Sequence, residues 1–224
     1  DLTGFLGGIL SGFLAGYFIL LLQRVFKGLP KSLDGLKAIF LYPVIGVAVI
    51  GITMSLLADP MKAVNEGMMS FLASFQNSSP LVLGIIVGCM CAFDMGGPLN
   101  KASYAFALAA SEAGNWIPLT TSCIAAMTPP LGIAIAIIIS KKKFSTVERS
   151  ALPGLITGAL CEITEFAIPF AVSDPFRVIP SLMAGSAVTG ALCYAFSMTL
   201  HAPHGGMFVV FLCSNPLLFV LFWL

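Results

Sequence analysis

Five stretches of this chain are each close to 20 residues long and almost wholly apolar, the length an α-helix needs to cross the hydrocarbon core of a bilayer. They run from Thr3 to Leu22, from Ala38 to Leu57 with Pro43 inside, from Trp116 to Ser140 with Pro129-Pro130 inside, from Val178 to about Leu200, and from Met207 to Leu224 with Pro216 inside. Of the 224 residues, 58% are hydrophobic and only 9% charged, against roughly 25% charged in soluble domains. A chain of this size cannot hide that much apolar surface in one water-soluble core. Soluble enzymes, disulfide-rich secreted scaffolds and disordered chains are excluded. The expected fold class is an all-α polytopic membrane protein with broken transmembrane helices. A net charge of +1 gives no global field to attract nucleic acid. The six cysteines are scattered through apolar stretches and read as buried thiols.

Positive charge sets orientation. Arg24, Lys27, Lys31 and Lys37 flank one loop, and Lys141, Lys142, Lys143 and Arg149 flank another. Both loops are expected on the cytoplasmic side. Residues 58–80, with Lys62 between Asp59 and Glu66, then face the other side, with an interfacial helix at Met68 to Phe75. The chain must therefore cross an odd number of times between 80 and 141. Residues 81–112 are too short for two full spans on either side of Asp94–Lys101. A re-entrant hairpin with that cluster at its tip satisfies the count, and three short crossings are the alternative. Residues 150–175 read as a second re-entrant element, broken between Glu165 and Pro169. Irregular backbone at membrane depth survives only inside protein or beside a wet cavity, so two such breaks point to a transporter site.

Three polar islands lie in this apolar sequence. The first is Asp94-Met95-Gly96-Gly97-Pro98-Leu99-Asn100-Lys101. Its ionisable ends are costly within a membrane, and its Gly-Gly-Pro turn frees backbone groups. A structural turn in which Asp94 and Lys101 neutralise each other is compatible with that. The second runs from Cys161 to Pro169 and on to Arg177. Glu162 and Glu165, three residues apart, share a face if the segment is helical. A carboxylate beside a helix break can accept hydroxyl hydrogen bonds or a hydroxyl proton. Asp174 and Arg177 read as an ion pair. The third is His201-Ala202-Pro203-His204-Gly205-Gly206. No third ligand supports a metal site there, so neither metal nor cofactor is expected. A loop closing over a polar site, with His204 as donor, is the functional reading.

In this order and spacing the islands resemble the membrane (IIC) domain of the fructose family of phosphotransferase-system sugar permeases. The resemblance is carried by AFDMGGPLNKASYAFA (92–107), PPLGIAIA (129–136), KKKF (141–144), ITEFAIPFAVSDPFRVIPS (163–181), GSAVTGAL (185–192) and APHGG (202–206). GFLGGILSGFLAGY (4–17) and LPKSLDGLKAIFLYP (29–43) extend it over nearly the whole chain.

The resemblance implies a single IIC domain over residues 1–224, with further apolar segments upstream in the family. It implies a multi-pass protein of the bacterial inner membrane that binds fructose or a fructose-like sugar, such as 2-O-mannosylglycerate, on the periplasmic side. A cytoplasmic IIB domain, charged from phosphoenolpyruvate through IIA, then phosphorylates that sugar. The chain would thus be part of a protein-N(pi)-phosphohistidine–sugar phosphotransferase, would hold no phosphoryl-carrying residue itself, and would form a homodimer. Glu165 falls in the family's sugar-binding Ile-Thr-Glu string and is the implied sugar ligand and possible base. Thr164, Glu162, Asp94, Asn100, Lys101, His204 and Gly205 complete the implied substrate-binding set. Phe166 replaces an expected glycine, Glu162 is an added carboxylate, and His201 is also a departure. Phe166 beside the ligand is expected to reshape the pocket. An ion-coupled secondary sugar transporter remains the alternative from the residues alone.

Overall fold

A computed structural model of the protein describes residues 4–224. Thr3, where the first expected span begins, lies outside them. The described residues are helical throughout, apart from turns and one isolated antiparallel bridge between Leu200 and Cys213. In chain order the helices are α1 (Gly4–Val25), α2 (Asp34–Leu36), α3 (Tyr42–Ser78), α4 (Pro80–Phe93), α5 (Pro98–Glu112), α6 (Ile117–Ile139), α7 (Thr146–Ser150), α8 (Leu152–Cys161), α9 (Ile168–Ser173), α10 (Pro175–Ala195) and α11 (Pro216–Trp223). Among the described residues, four helical runs are long and apolar enough to cross a bilayer: Leu10–Gly28, Asp34–Gln76, Ile117–Ile139 and Pro175–Ala195.

The chain forms two compact units, one ending at Met68 and the other beginning at Met69. In the first, a π-helical stretch (Lys37–Leu41) leads into α3. The wider turn absorbs Pro43, so that proline does not interrupt the span as expected. The Lys37 ammonium lies 2.6 Å from Asp34. The Phe26 and Tyr42 rings pack with centroids 6.2 Å apart.

Two expected boundaries are corrected. Met68 to Phe75 is not a separate short helix, because α3 continues through Ser78 with Pro60 inside it. One proline costs a single ladder bond, and good helix formers such as Met61, Lys62, Ala63 and Glu66 carry the helix on. The expected last span is not one helix either. A 3-10 stretch (Gly206–Leu212) comes first, and α11 starts afresh at Pro216. Proline at the first helical position forces that start, and the Asn215 side chain accepts the Leu218 N–H at 3.1 Å. The Ser214 N–H donates to the Thr199 carbonyl at 2.7 Å, which turns the segment back.

The second unit is built on α4, α6 and α10. α4 and α10 cross through small residues, Gly84 and Gly88 on one and Ser186 and Gly190 on the other. A Cβ on Gly84 or Gly190 would overlap the other's carbonyl oxygen, and one on Gly88 would overlap that of Ser186. Lipid tails give helices no hydrophobic reason to associate, so close backbone approach does this work in membranes. Leu83, Val87, Cys91, Phe106, Ala125 and Tyr194 form one buried cluster there with Leu72.

α6 carries Pro129 and Pro130 in its interior. Neither can donate to the carbonyl four residues back, so the carbonyls of Ala125 and Ala126 lose their helical partners. Two hydroxyls replace those donors. Ser186 Oγ donates to the Ala125 carbonyl at 2.9 Å, and Thr164 Oγ1 donates to the Ala126 carbonyl at 3.1 Å. The proline pair therefore fixes both α10 and the break after α8 onto α6.

Four of the six free thiols are buried. Cys89 and Cys161 are partly exposed, contrary to the expectation for them.

Candidate functional site

α4 and α5 form a helical hairpin whose turn is the first polar island. At 14 and 15 residues the helices are about 21 and 22 Å long at 1.5 Å per residue. Each is shorter than a hydrocarbon core of about 30 Å. Asp94 ends α4, and its carboxylate accepts the N–H groups of Leu99 at 2.6 Å and Asn100 at 3.0 Å. These belong to the unpaired first turn of α5, where negative charge is favoured. Asp94 thus holds the turn together. Met95 and Gly96 both have positive φ, 45° and 102°. A Cβ on Gly96 would overlap Glu165 Oε1, so the bare backbone gives that carboxylate its place.

Glu165 enters from the second island. α8 stops at Glu162, which adopts the left-handed conformation (φ 62°, ψ 41°), and a 3-10 turn, Thr164–Ala167, follows. The carboxylate of Glu165 is 47% exposed and lies 3.9 Å from Lys101 Nζ on α5. Asn100 is buried, and its side-chain amide donates to the Cys91 carbonyl at 2.8 Å. Glu162 is different: its side chain is only 4% exposed. Its Oε2 accepts the N–H groups of Gly205 and Gly206, each at 3.0 Å, and lies 3.8 Å from His204 Nδ1. From the hairpin, Tyr104 Oη donates to the Pro203 carbonyl at 2.7 Å. The third island is thus held from the second and from α5.

The three islands meet in one cleft. It is lined by Asn100, Lys101 and Tyr104 from α5, Ser122 and Ala126 from α6, Glu162, Thr164 and Glu165 from the break after α8, and His204. Of the residues expected from sequence, only Asp94 and Gly205 do not line it; the first caps α5 and the second anchors the His204 loop. Phe166 does not reshape the cleft, because its ring packs on Gly154 and Gly158 of α8. His201 packs against Trp116 with centroids 4.6 Å apart and the rings tilted by 46°, and Asp174 pairs with Arg177 at 3.7 Å. Tyr104, Ser122 and Ala126 were not foreseen. Tyr104 lies one turn beyond Asn100 on the same helix face, which was a readable signal. Ser122 closes a run of three hydroxyl residues, Thr120-Thr121-Ser122, inside an expected span, and Ala126 carries no polar group to mark it.

The cleft offers two carboxylates, an ammonium, an imidazole, an amide and hydroxyls within an apolar helical body. Such groups suit a neutral polyhydroxyl ligand, whose hydroxyls both donate and accept. Discontinuous helices that bring polar groups together inside an apolar helical body are a form that membrane transporters use for their sites. The family described as "Phosphotransferase system, EIIC" matches residues 1–185, and the chain belongs to it. It is 44% identical over 98% of its length to the PTS system fructose-specific EIIABC component of Bacillus subtilis (strain 168), spanning 35% of that protein. It is also 44% identical, over 98% of its length and 72% of the relative's, to the fructose permease IIC component of Bacillus amyloliquefaciens. The PTS system fructose-specific EIIC component of Haloferax volcanii is 39% identical over 97% of the chain and 58% of that relative. No solved structure matches the chain.

Proposed function

We propose that this chain is the sugar-translocating IIC part of a phosphoenolpyruvate-dependent phosphotransferase system in a bacterial inner membrane, taking fructose or a close relative. The observation that carries this reading is the meeting of Glu165, Lys101, Asn100 and His204 at two helix breaks. The names of relatives that join A, B and C components, or B and C components, in one chain support IIA and IIB as its partners. In this reading IIC works as a homodimer within a protein-N(pi)-phosphohistidine–sugar phosphotransferase, and the phosphoryl group comes from IIB.

The cleft holds about 50 Å³, far below the roughly 300 Å³ at the small end of ligand pockets. A monosaccharide therefore enters by parting Lys101 from Glu165. The freed Glu165 carboxylate accepts two sugar hydroxyls, and Lys101 and Asn100 donate to others. Glu165 then takes the proton of the hydroxyl that attacks phospho-IIB. Positioning and exclusion of water supply the remaining acceleration.

The test uses membranes containing the full-length protein, supplied with phosphoenolpyruvate and the general carriers, and given fructose, mannitol or mannosylglycerate. Phosphorylated sugar inside supports group translocation. Unmodified sugar accumulating with a co-ion would mean symport instead.

A further inference from the structure

We propose that Glu162 is a positioning residue, a latch whose carboxylate seats the 201–206 loop against the cleft and so orients His204 at its mouth. Glu165 is half exposed, whereas the Glu162 side chain is almost wholly buried. A buried carboxylate persists only when donors compensate it. The donors here are two successive backbone N–H groups, Gly205 and Gly206, both at 3.0 Å from the same oxygen. Both glycines have positive φ, 137° and 55°. That conformation aims consecutive N–H groups at one point and forms a small anion-binding concavity. A Cβ on Gly206 would overlap the Leu160 carbonyl, so the loop seats directly on the end of α8. Glu162 itself stands at the left-handed position after α8, where Gly or Asn is usual. That backbone carries its side chain across to the loop.

The imidazole of His204 lies 3.8 Å from the same oxygen, and the His204 backbone is positioned through Gly205, the next residue, whose N–H the carboxylate accepts. Tyr104 grips Pro203 from the opposite side. Glu162 therefore acts on the ligand through His204 and the loop, and its principal task is not to bind sugar. The effect on sugar rests on the transport reading above; the latch itself does not.

Two readouts separate these claims. The first is amide hydrogen exchange of the detergent-purified full-length protein, resolved at Gly205 and Gly206. In the wild type both amides exchange slowly. In Glu162→Gln, which loses the charge, and in Glu162→Asp, which keeps it but loses reach, they exchange about tenfold faster. Exchange over Pro175–Ala195 stays unchanged. If Glu162→Gln loosens that helix as well, Glu162→Asp decides. The second readout is sugar phosphorylation in membranes. Both variants raise KM about tenfold and leave kcat within about threefold, the signature of lost binding geometry. Unprotected amides in the wild type or unchanged exchange in Glu162→Asp would each overturn the latch, and a loss of kcat at constant KM would overturn its effect on sugar. A wild type that handles no sugar defeats the transport reading and leaves the exchange result to judge the latch.

Discussion

Thr164→Val tests how the proline pair of α6 organises the site. Valine keeps the shape of threonine and removes the hydroxyl that donates to the Ala126 carbonyl at 3.1 Å. That carbonyl has no helical partner because Pro130 stands four residues on. Leaving a buried acceptor unpaired costs about 1–3 kcal/mol in water-soluble proteins. Interhelical hydrogen bonds in membranes average about 0.6 kcal/mol, with a maximum near 1.7. The expected loss is about 1 kcal/mol, or a fall of about 2–4 °C in unfolding midpoint for a chain of this size. In a Pro130→Ala background the restored N–H at 130 satisfies the carbonyl, and the same substitution then costs roughly 0.3 kcal/mol or less. Pro129→Ala, which frees no donor for Ala126, leaves the full cost of Thr164→Val in place. Reversible unfolding of the detergent-purified protein, run as a double-mutant cycle, gives all these values. Equal costs for Thr164→Val with and without Pro130 would refute the reasoning.

Other perturbations follow from the same geometry. Glu165→Gln removes a charged acceptor for two hydroxyls, each bond to a charged group worth about 1.5–3 kcal/mol, so sugar uptake falls by roughly a hundredfold or more in vesicle assays. Gly190→Ala drives a methyl into the Gly84 carbonyl and destabilises the α4–α10 crossing by about 1–3 kcal/mol, read as a lower unfolding midpoint. At the start of α7 the Ser145 hydroxyl accepts the Glu148 N–H while the Glu148 carboxylate accepts the Ser145 N–H. Hydrogen bonds from the Ser145 side chain and then its backbone lower the Glu148 pKa from 4.5. The cap is therefore intact above the ordinary carboxylate range and is lost as pH falls through the lowered value. Amide protection factors across 145–150, each taken against the intrinsic exchange rate at the same pH, should fall in acid in the wild type, and at neutral pH in Ser145→Ala.

The spans near 116–140 and 178–200, and the presence of broken helices, were legible because bilayer thickness sets the length of an apolar helix. The hairpin turn was legible because Asp94, Gly96, Gly97 and Pro98 each break an apolar helix. The continuity of α3 was not, since polar residues such as Lys62 and Glu66 serve equally well in a loop or on a helix. The break before Pro216 was misplaced because an apolar run carries no mark of a 3-10 turn. At the site, Glu162 and Glu165 were visible as neighbours, but their division of labour was not. It depends on the left-handed backbone at Glu162, which sends one carboxylate inward to the His204 loop and leaves the other in the cleft. The hydroxyls of Thr164 and Ser186 find their partners 38 and 61 residues away, a long-range pairing that no local pattern encodes.

The central claim is that the sugar binds where Glu165 now meets Lys101. Its most direct test is equilibrium binding of radiolabelled fructose to the purified full-length protein, without phosphoenolpyruvate or carriers. Saturable binding in the wild type, weakened roughly a hundredfold in Glu165→Gln and clearly weakened in Lys101→Met, is the result the account predicts. Undiminished fructose binding in Glu165→Gln would contradict it.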